Sequence, residues 1–177
     1  MNLDKIILLV GLMGSGKTSV GKRLSQKLNL SFVDGDKEVE AAAGLPISEI
    51  FKCFGEEEFR NGEKRVMKRL LNGESCVLAS GGGSFVPDEV RDLAKKNAIT
   101  IWLKADIDVL QKRTTGRSHR PLLNVAEDEI REKLEKYINL EYPFYSDADI
   151  IVETHDEDVE NTVKRVYDAI VEYKEKI

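Results

Sequence analysis

The chain has 177 residues, enough for one domain with a core of its own, and its 41% hydrophobic and 33% charged residues are typical of a globular protein. The net charge of −5 argues against nucleic acids and membrane surfaces as partners, since both attract basic proteins. No signal-peptide pattern or bilayer-length apolar run is evident, so we expect a cytoplasmic monomer that binds small molecules. Cys53 and Cys76 lack metal or redox spacing and are predicted to be small core residues.

Short apolar runs alternate with longer helical patterns, which is the signature of βαβ units and a parallel sheet. Strands are predicted at Ile6–Val10, Phe32–Val33, Cys76–Ala79, Thr100–Leu103 and Ile150–Val152. Helices are predicted at Thr18–Leu28, Lys37–Ala43, Ile47–Leu71 with a break near Gly55, Pro87–Lys96, Asp106–Arg113, Glu127–Leu140 and Asp158–Lys174. The pattern predicts a single α/β domain over residues 1–177.

The segment from Gly11 to Thr18 reads GLMGSGKT and matches G-x-x-x-x-G-K-S/T between an aliphatic strand and an amphipathic helix. Glycines there let backbone amides turn inward around a phosphate, and the following helix directs the positive end of its dipole at the same anion. The Lys17 ammonium should reach the β- and γ-phosphates, and the Thr18 hydroxyl should ligate Mg²⁺. The predicted ATP-binding residues of this loop are Gly14, Ser15, Gly16, Lys17, Thr18 and Ser19.

Two carboxylates, Asp34 and Asp36, follow the second predicted strand at the edge of the sheet where ligands of open α/β folds bind. On extended backbone, residues two apart point the same way, so both should face the ligand. Asp34 is a candidate for holding the water shell of the metal, and Asp36 for contacting the hydroxyl that is phosphorylated. A solvated turn is the alternative, because Asp and Gly favour turns.

Five motifs in chain order, GLMGSGKTSVGKRL, FVDGDKEVE, GEEEFRNGE, SGGG and RPLL, together resemble the shikimate kinase family nearly end to end. The resemblance implies a P-loop NTPase three-layer α/β fold with a five-stranded parallel sheet in the order 2-3-1-4-5. It implies transfer of phosphate from ATP, with Mg²⁺, to the 3-hydroxyl of shikimate. It also implies an acceptor-binding helical region at about residues 35–62 and a lid at about residues 114–126.

On the acceptor side, the resemblance implies that Arg60 contacts the substrate carboxylate and that Glu63 steadies this arginine. The pair stands at i and i+3, so both side chains can meet on one helix face. An ordinary surface ion pair is the alternative reading of that spacing. The resemblance further implies that the backbone of Gly81, Gly82 and Gly83 contacts the ring hydroxyls of the acceptor, whereas a flexible turn is the alternative.

On the nucleotide side, the resemblance implies that Arg113 lies against adenine and that Arg120, in the RPLL motif, reaches the transferring phosphate. A cation introduced there would offset charge on the phosphoryl oxygens and help to exclude water. The predicted catalytic residues are therefore Lys17, Asp36 and Arg120.

One position departs from the family pattern, which usually has a second arginine four residues before a tyrosine. In LEYPFYSDAD, counting back from Tyr145 places Glu141 there, and a carboxylate would repel the carboxylate of shikimate. Glu141 could face solvent, with Arg131 or Lys136 serving instead. It could bind an acceptor whose polar group is neutral or cationic. Alternatively, the register is shifted because Pro143 distorts the helix end. Glu141 is retained as a candidate acceptor-binding residue.

Two other functions compete with shikimate phosphorylation. The first keeps the chemistry and changes the acceptor to an amino-shikimate, a polyol or another hydroxy acid, and Glu141 is the residue that points to it. The second is a regulatory protein that binds nucleotide without catalysis. The intact Lys17, Asp36 and Arg60 argue against a pure binder, which need not keep groups aimed at an acceptor.

Overall fold

Strands and helices alternate along the described part of the chain, which comprises residues 4–115, 126 and 129–176 of the computed structural model. The strands are β1 (Ile6–Val10), β2 (Ser31–Asp34), β3 (Cys76–Ala79), β4 (Ala98–Ala105) and β5 (Ile150–Thr154). The helices are α1 (Lys17–Leu28), α2 (Gly35–Ala43), α3 (Ile47–Leu71), α4 (Asp88–Asn97), α5 (Ile107–Thr114), α6 (Ile130–Tyr145) and α7 (Val159–Glu175).

The five strands form one parallel sheet in the order β2-β3-β1-β4-β5, which confirms the predicted order. Strand β1 lies at its centre, where Ile7 pairs with Val77 on one side and with Ile99 on the other. The carboxyl ends of β1, β2 and β3 therefore meet at one edge of the sheet. This edge is where ligands of open parallel sheets bind.

Both faces of the sheet are covered, because successive residues of a strand point to opposite faces. On one face, Ile6, Leu8 and Val10 pack in a core that includes residues of α3, α4 and α6. On the other face, Ile7 and Leu9 pack in a core with residues of α1 and α7. The three-layer architecture follows from the unbroken apolar run of β1, which has a side chain for each layer.

A smaller core joins α2 to α3 through Val39, Ile50, Phe59 and Val66. Within α3, Gly55 has φ 81° and ψ 174°, so the long helix is kinked at the residue where a break was predicted. This conformation favours glycine, because a side chain at positive φ is strained. The α2–α3 unit coincides with most of the predicted acceptor-binding region at residues 35–62, whose role stays a prediction.

Several predicted boundaries are wrong by a few residues. Helix α2 begins at Gly35 rather than Lys37, because the Asp34 carboxylate caps it by accepting the Asp36 backbone N–H at 3.1 Å. Asp36 is therefore helical and not, as predicted, on extended backbone.

Helix α6 ends at Tyr145 rather than Leu140 and continues through Pro143. The added turn packs Tyr142 against Trp102 of β4, with ring centroids 4.8 Å apart.

The two cysteines differ in exposure. Cys76 is buried as predicted, but Cys53 is exposed on α3, so the prediction that it lies in the core is wrong. In the ranges that the structure describes, no helix combines the length and hydrophobicity required to cross a bilayer.

Candidate active site

A cleft of about 1060 Å³ opens along the carboxyl edge of the sheet, between the loop after β1 and the α2–α3 unit. It brings together most of the residues predicted to bind nucleotide and acceptor. Its lining includes Gly14, Ser15, Gly16, Lys17, Thr18, Ser19, Asp34, Asp36, Glu63, Gly82 and Arg113. The size and mixed polarity of the cleft suit a site for two small molecules.

The loop between β1 and α1 has the backbone of a phosphate cradle. Gly14 and Gly16 adopt φ angles of 87° and 100°, a region that strains other residues. Lys17 begins α1, and its ammonium donates to the carbonyl oxygens of Gly11 at 2.6 Å and Leu12 at 2.9 Å. The start of the helix and the ammonium therefore face the same concavity, which suits a polyphosphate.

The Thr18 hydroxyl and the Asp34 carboxylate meet beside this loop, where Thr18 Oγ1 donates to Asp34 Oδ2 at 3.2 Å. No group of three or more His, Cys, Asp or Glu residues within the described ranges could hold a metal ion. One hydroxyl and one carboxylate fit Mg²⁺, which keeps several waters and takes its remaining oxygens from the phosphates of the nucleotide.

Asp36 and Glu63 converge on Gly81, the first residue of the triple-glycine turn after β3. A Cβ atom at Gly81 would lie 2.4 Å from Glu63 Oε1 and 2.6 Å from Asp36 Oδ1. Such distances are too short for real contacts, so a side chain at this position would force the two carboxylates to shift away from the turn. This close approach explains one of the three glycines and argues against a merely flexible turn.

Arg60 of α3 also contacts the triple-glycine turn. Its Nη1 donates to Glu63 Oε2 and to the carbonyl oxygen of Gly82, both at 2.8 Å. A Cβ atom at Gly83 would lie 2.9 Å from this nitrogen, so Gly83 also makes room for the guanidinium. Glu63 is only 3% exposed, which rules out the alternative of a surface ion pair.

The pKa values around Arg60 reflect burial and crowding of charge. Burial would lower the pKa of Arg60, but Glu63, with smaller contributions from Glu141 and Glu56, raises it above its ordinary value. Burial raises the pKa of Glu63 to about 7, although the charge of Arg60 opposes this shift. The pKa of Glu63 is raised on folding, so the folded state favours the protonated carboxyl group. The resulting contribution to the free energy of unfolding is fully present below the unfolded pKa of about 4.3, and it is lost as the pH rises through about 7.

Glu141 is buried, so the explanation that places it in solvent is wrong. Its carboxylate accepts a hydrogen bond from the Tyr145 hydroxyl at 2.6 Å, and this hydroxyl accepts the backbone N–H of Gly83 at 3.2 Å. Arg131 is paired with Asp108 at the surface, so it does not replace the missing arginine. We call Asp36, Arg60, Glu63 and Glu141 the Arg60 cluster.

Three buried oxygen atoms in the cleft have no hydrogen-bond partner among the described residues, namely Ser15 Oγ, Ser80 Oγ and Glu63 Oε1. Buried polar atoms in native proteins are almost always bonded, and a bound ligand or water supplies the partner where the protein does not. Sequence reasoning missed Ser80, although its place directly after a buried strand is a usable signal.

Arg113 lines the cleft beside the phosphate loop, and its contact with adenine stays a prediction. Its guanidinium donates to the Gly14 and Ser15 carbonyls at 3.3 and 3.4 Å, and to the His155 carbonyl at 2.6 Å. It thereby connects the phosphate loop to the segment after β5. The cleft wall nearby includes three residues that the sequence analysis missed, namely Glu157, Val159 and Thr162. Arg120 and residues 116–125 of the predicted lid lie outside the described residues.

Comparisons with known proteins match the chain to one family. The model of the family described as shikimate kinase matches residues 13–171. A shikimate kinase of Paramagnetospirillum magneticum is 48% identical over 171 residues, which cover 97% of this chain and 87% of that protein. A shikimate kinase of Caulobacter vibrioides is 49% identical over 152 residues, which cover 86% of this chain and 75% of that protein. The structure of the Acinetobacter baumannii shikimate kinase in complex with shikimate superposes with a TM-score of 0.91 at 32% identity, covering 96% of this chain and 94% of that one.

Proposed function

This chain belongs to the shikimate kinase family, and on that premise we propose that it transfers the γ-phosphoryl group of ATP to the 3-hydroxyl of shikimate. The observation that carries the proposal is the convergence of Asp36, Glu63 and Arg60 on the triple-glycine turn, in the cleft that also contains the phosphate loop. A relative with a TM-score of 0.91 has a solved structure with shikimate bound.

In the acceptor half of the cleft, Arg60 binds the shikimate carboxylate, and Glu63 fixes the orientation of its guanidinium. The glycine turn presents backbone groups to the ring hydroxyls. Asp36 accepts a hydrogen bond from the reacting hydroxyl and takes up its proton as the oxygen bonds to the γ-phosphorus. The bond from that phosphorus to the bridging oxygen breaks, and ADP leaves. Because phosphoryl transfer depends mainly on positioning and electrostatics, Asp36 need not be a strong base.

In the nucleotide half, the amides of Gly14, Ser15 and Gly16 hold the phosphates, and Lys17 offsets the charge of the γ-phosphoryl oxygens. Arg113 lies at the adenine side, and Arg120 remains the predicted second cation at the transferring phosphate. Thr18, with Asp34 acting through water, would hold Mg²⁺, which supplies charge neutralisation to the β- and γ-phosphates when bound.

The acceptor is tested by measuring ADP release from purified protein with ATP, Mg²⁺ and one acceptor at a time. Shikimate, an amino-shikimate and gluconate are the acceptors, because the last two represent the competing reactions. We expect turnover with shikimate to exceed turnover with the other two by at least about tenfold in kcat/KM. Equal or better turnover of another acceptor would contradict the proposal, and nucleotide binding without any transfer would favour the regulatory protein.

The glycine turn allows a closely matched pair of variants. Gly81→Ala places a Cβ atom within 2.6 Å of both Glu63 Oε1 and Asp36 Oδ1, whereas the nearest atom to a Cβ at Gly82 lies 3.7 Å away. We expect Gly81→Ala to lower kcat/KM for shikimate by about 10²-fold, since a misplacement of about 1 Å in a site costs that much. Gly82→Ala should retain more of that value, and the KM for ATP should change little in either variant. A larger loss of kcat/KM in Gly82→Ala than in Gly81→Ala would contradict the proposed position of the two carboxylates at Gly81.

The monomeric state and the cytoplasmic location remain predictions of the sequence. Size-exclusion chromatography with light scattering, with and without ATP and shikimate, measures the first directly. A dimer under both conditions would contradict the prediction of a monomer.

Proteolysis of residues 116–125 with and without both ligands would test the predicted lid, which should be protected only when both are bound.

A further inference from the structure

Glu141 brings an additional carboxyl group to the Arg60 cluster from α6, which contacts the glycine turn through the hydrogen bond between Gly83 and Tyr145. Only 6% of the residue is exposed. The hydroxyl of Tyr145, which is completely buried, holds its Oε2 at 2.6 Å and is itself held by the backbone of Gly83. The position of this carboxyl group is therefore set by the same turn that faces the acceptor.

Among the described residues, charged and titratable groups on three helices act on Glu141. They are Lys17 at the start of α1, Glu56, Arg60 and Glu63 on α3, and Tyr137, Tyr142 and Tyr145 on α6. Asp36 of α2 acts on the same cluster through Glu63. The Arg60 guanidinium thus interacts with Glu63 at 2.8 Å, with Glu56 at 3.7 Å and with the charge of Glu141.

We propose that Glu141 determines the charge selectivity of the acceptor site, so that an anionic acceptor binds together with a proton taken up by the Arg60 cluster at Glu141. This inference rests on the proposed function, since shikimate is the anionic acceptor. A carboxylate that entered beside Arg60 would otherwise stand against an ionised Glu141 in a partly desolvated site, where like charges repel strongly. Protonated Glu141 becomes a hydrogen-bond donor to the incoming carboxylate.

The surroundings of Glu141 favour this proton uptake. Burial raises the pKa of Glu141 above its ordinary value, although the Tyr145 hydrogen bond and the charges of Arg60 and Lys17 oppose the shift. Binding of a further negative charge at Arg60 would offset the cation that now stabilises ionised Glu141. The neutral form of Glu141 therefore becomes more favourable when the acceptor binds.

The unaltered enzyme provides the first test, by comparison of shikimate with its methyl ester, which has the same ring hydroxyls and no charge. KM values for both are measured between about pH 6 and about pH 8.5, where the carboxyl group of free shikimate stays ionised. We expect the ratio of the acid KM to the ester KM to rise with pH, by up to about tenfold per pH unit above the pKa of the cluster. A ratio that stays constant within twofold over this range would overturn the proposal.

The variant Glu141→Gln assigns the effect to this residue, because glutamine keeps the size and the acceptor oxygen for Tyr145 but cannot ionise. Its KM for shikimate at about pH 8 should fall by about tenfold or more, and its acid-to-ester ratio should vary less with pH. Any residual variation then belongs to Glu63. The matched control is Glu132→Gln, an exposed glutamate of the same helix, whose KM should stay within twofold of the wild type.

Two negative results separate the inference from the proposed function. If Glu141→Gln is folded by circular dichroism and turns over shikimate with an unchanged KM and pH profile, the inference is overturned and the function stands. If neither the wild type nor the variant phosphorylates shikimate or its methyl ester, the inference and the proposed function both fail. Should the variant not fold, a constant acid-to-ester ratio in the unaltered enzyme still overturns the inference.

Discussion

Replacement of Lys17 by alanine is expected to lower kcat for shikimate phosphorylation by about 10²–10³-fold or more, because the variant loses the cation that we propose offsets the charge of the γ-phosphoryl oxygens. Lys17 is 9% exposed, and its ammonium is held at the mouth of the phosphate loop by the Gly11 and Leu12 carbonyls. A charge in such a water-poor position acts on the phosphates far more strongly than a surface charge would. Steady-state kinetics with ATP and shikimate in excess measure the loss.

Lys22→Ala is the matched control for this variant, since Lys22 lies on the same helix, five residues further on, and is exposed. It removes the same charge from α1 without touching the loop, and its kcat should remain within about twofold of the wild type. ATP binding by titration calorimetry should weaken only in Lys17→Ala. A Lys17→Ala enzyme with nearly normal turnover would remove this residue from the catalytic site.

The fold and the phosphate loop could be predicted from the sequence because both are encoded locally. The run Ile6–Val10 ends at the glycines of the loop, and Lys17 begins a helix with a regular apolar face. Each of these features depends on neighbours within a few residues, so short-range patterns suffice to identify them. Strand order could not be obtained in this way, and the resemblance to a family supplied it.

The surroundings of Glu141 could not be predicted, because they depend on contacts between distant segments. The chain separates Tyr145 from Gly83 by 62 residues, yet the two share a hydrogen bond. The predicted helix ends at Leu140 and so leaves Glu141 outside it. Packing of Tyr142 and Tyr145 on Trp102 extends α6 instead, an instance of tertiary contacts that override local propensity.

Asp34 and Asp36 both line the cleft, but the extended backbone predicted for them is wrong. Extended backbone would have pointed both carboxylates the same way, but Asp34 caps α2 and Asp36 belongs to its first turn. Both side chains still line the cleft, since the cap directs Asp34 to Thr18 while the helix turns Asp36 toward Gly81. The roles proposed for Asp34 at the metal and Asp36 at the acceptor thus correspond to two local conformations rather than one.

Asp36→Asn is expected to lower kcat by about 10²–10⁴-fold, the range over which a positioned acid or base contributes to catalysis. Asparagine keeps the size of the side chain but cannot take up the proton of the hydroxyl. The dissociation constant for ATP should change little, because Asp36 lies against Gly81 on the acceptor side of the cleft. Single-turnover phosphate transfer and calorimetric ATP binding, measured on the same preparation, separate the two effects.

The exposed Asp92 of α4 provides the control, since Asp92→Asn makes the same chemical change away from the cleft. The pH profile then distinguishes two roles for Asp36. If Asp36 accepts the proton, kcat of the wild type falls at low pH as this carboxylate is protonated, and Asp36→Asn loses that limb. If Asp36 only orients the hydroxyl, the variant keeps the limb and loses mainly in KM for shikimate. A variant with wild-type kcat and KM would place Asp36 outside the reaction, and the convergence of Asp36 and Glu63 on Gly81 would then need another explanation.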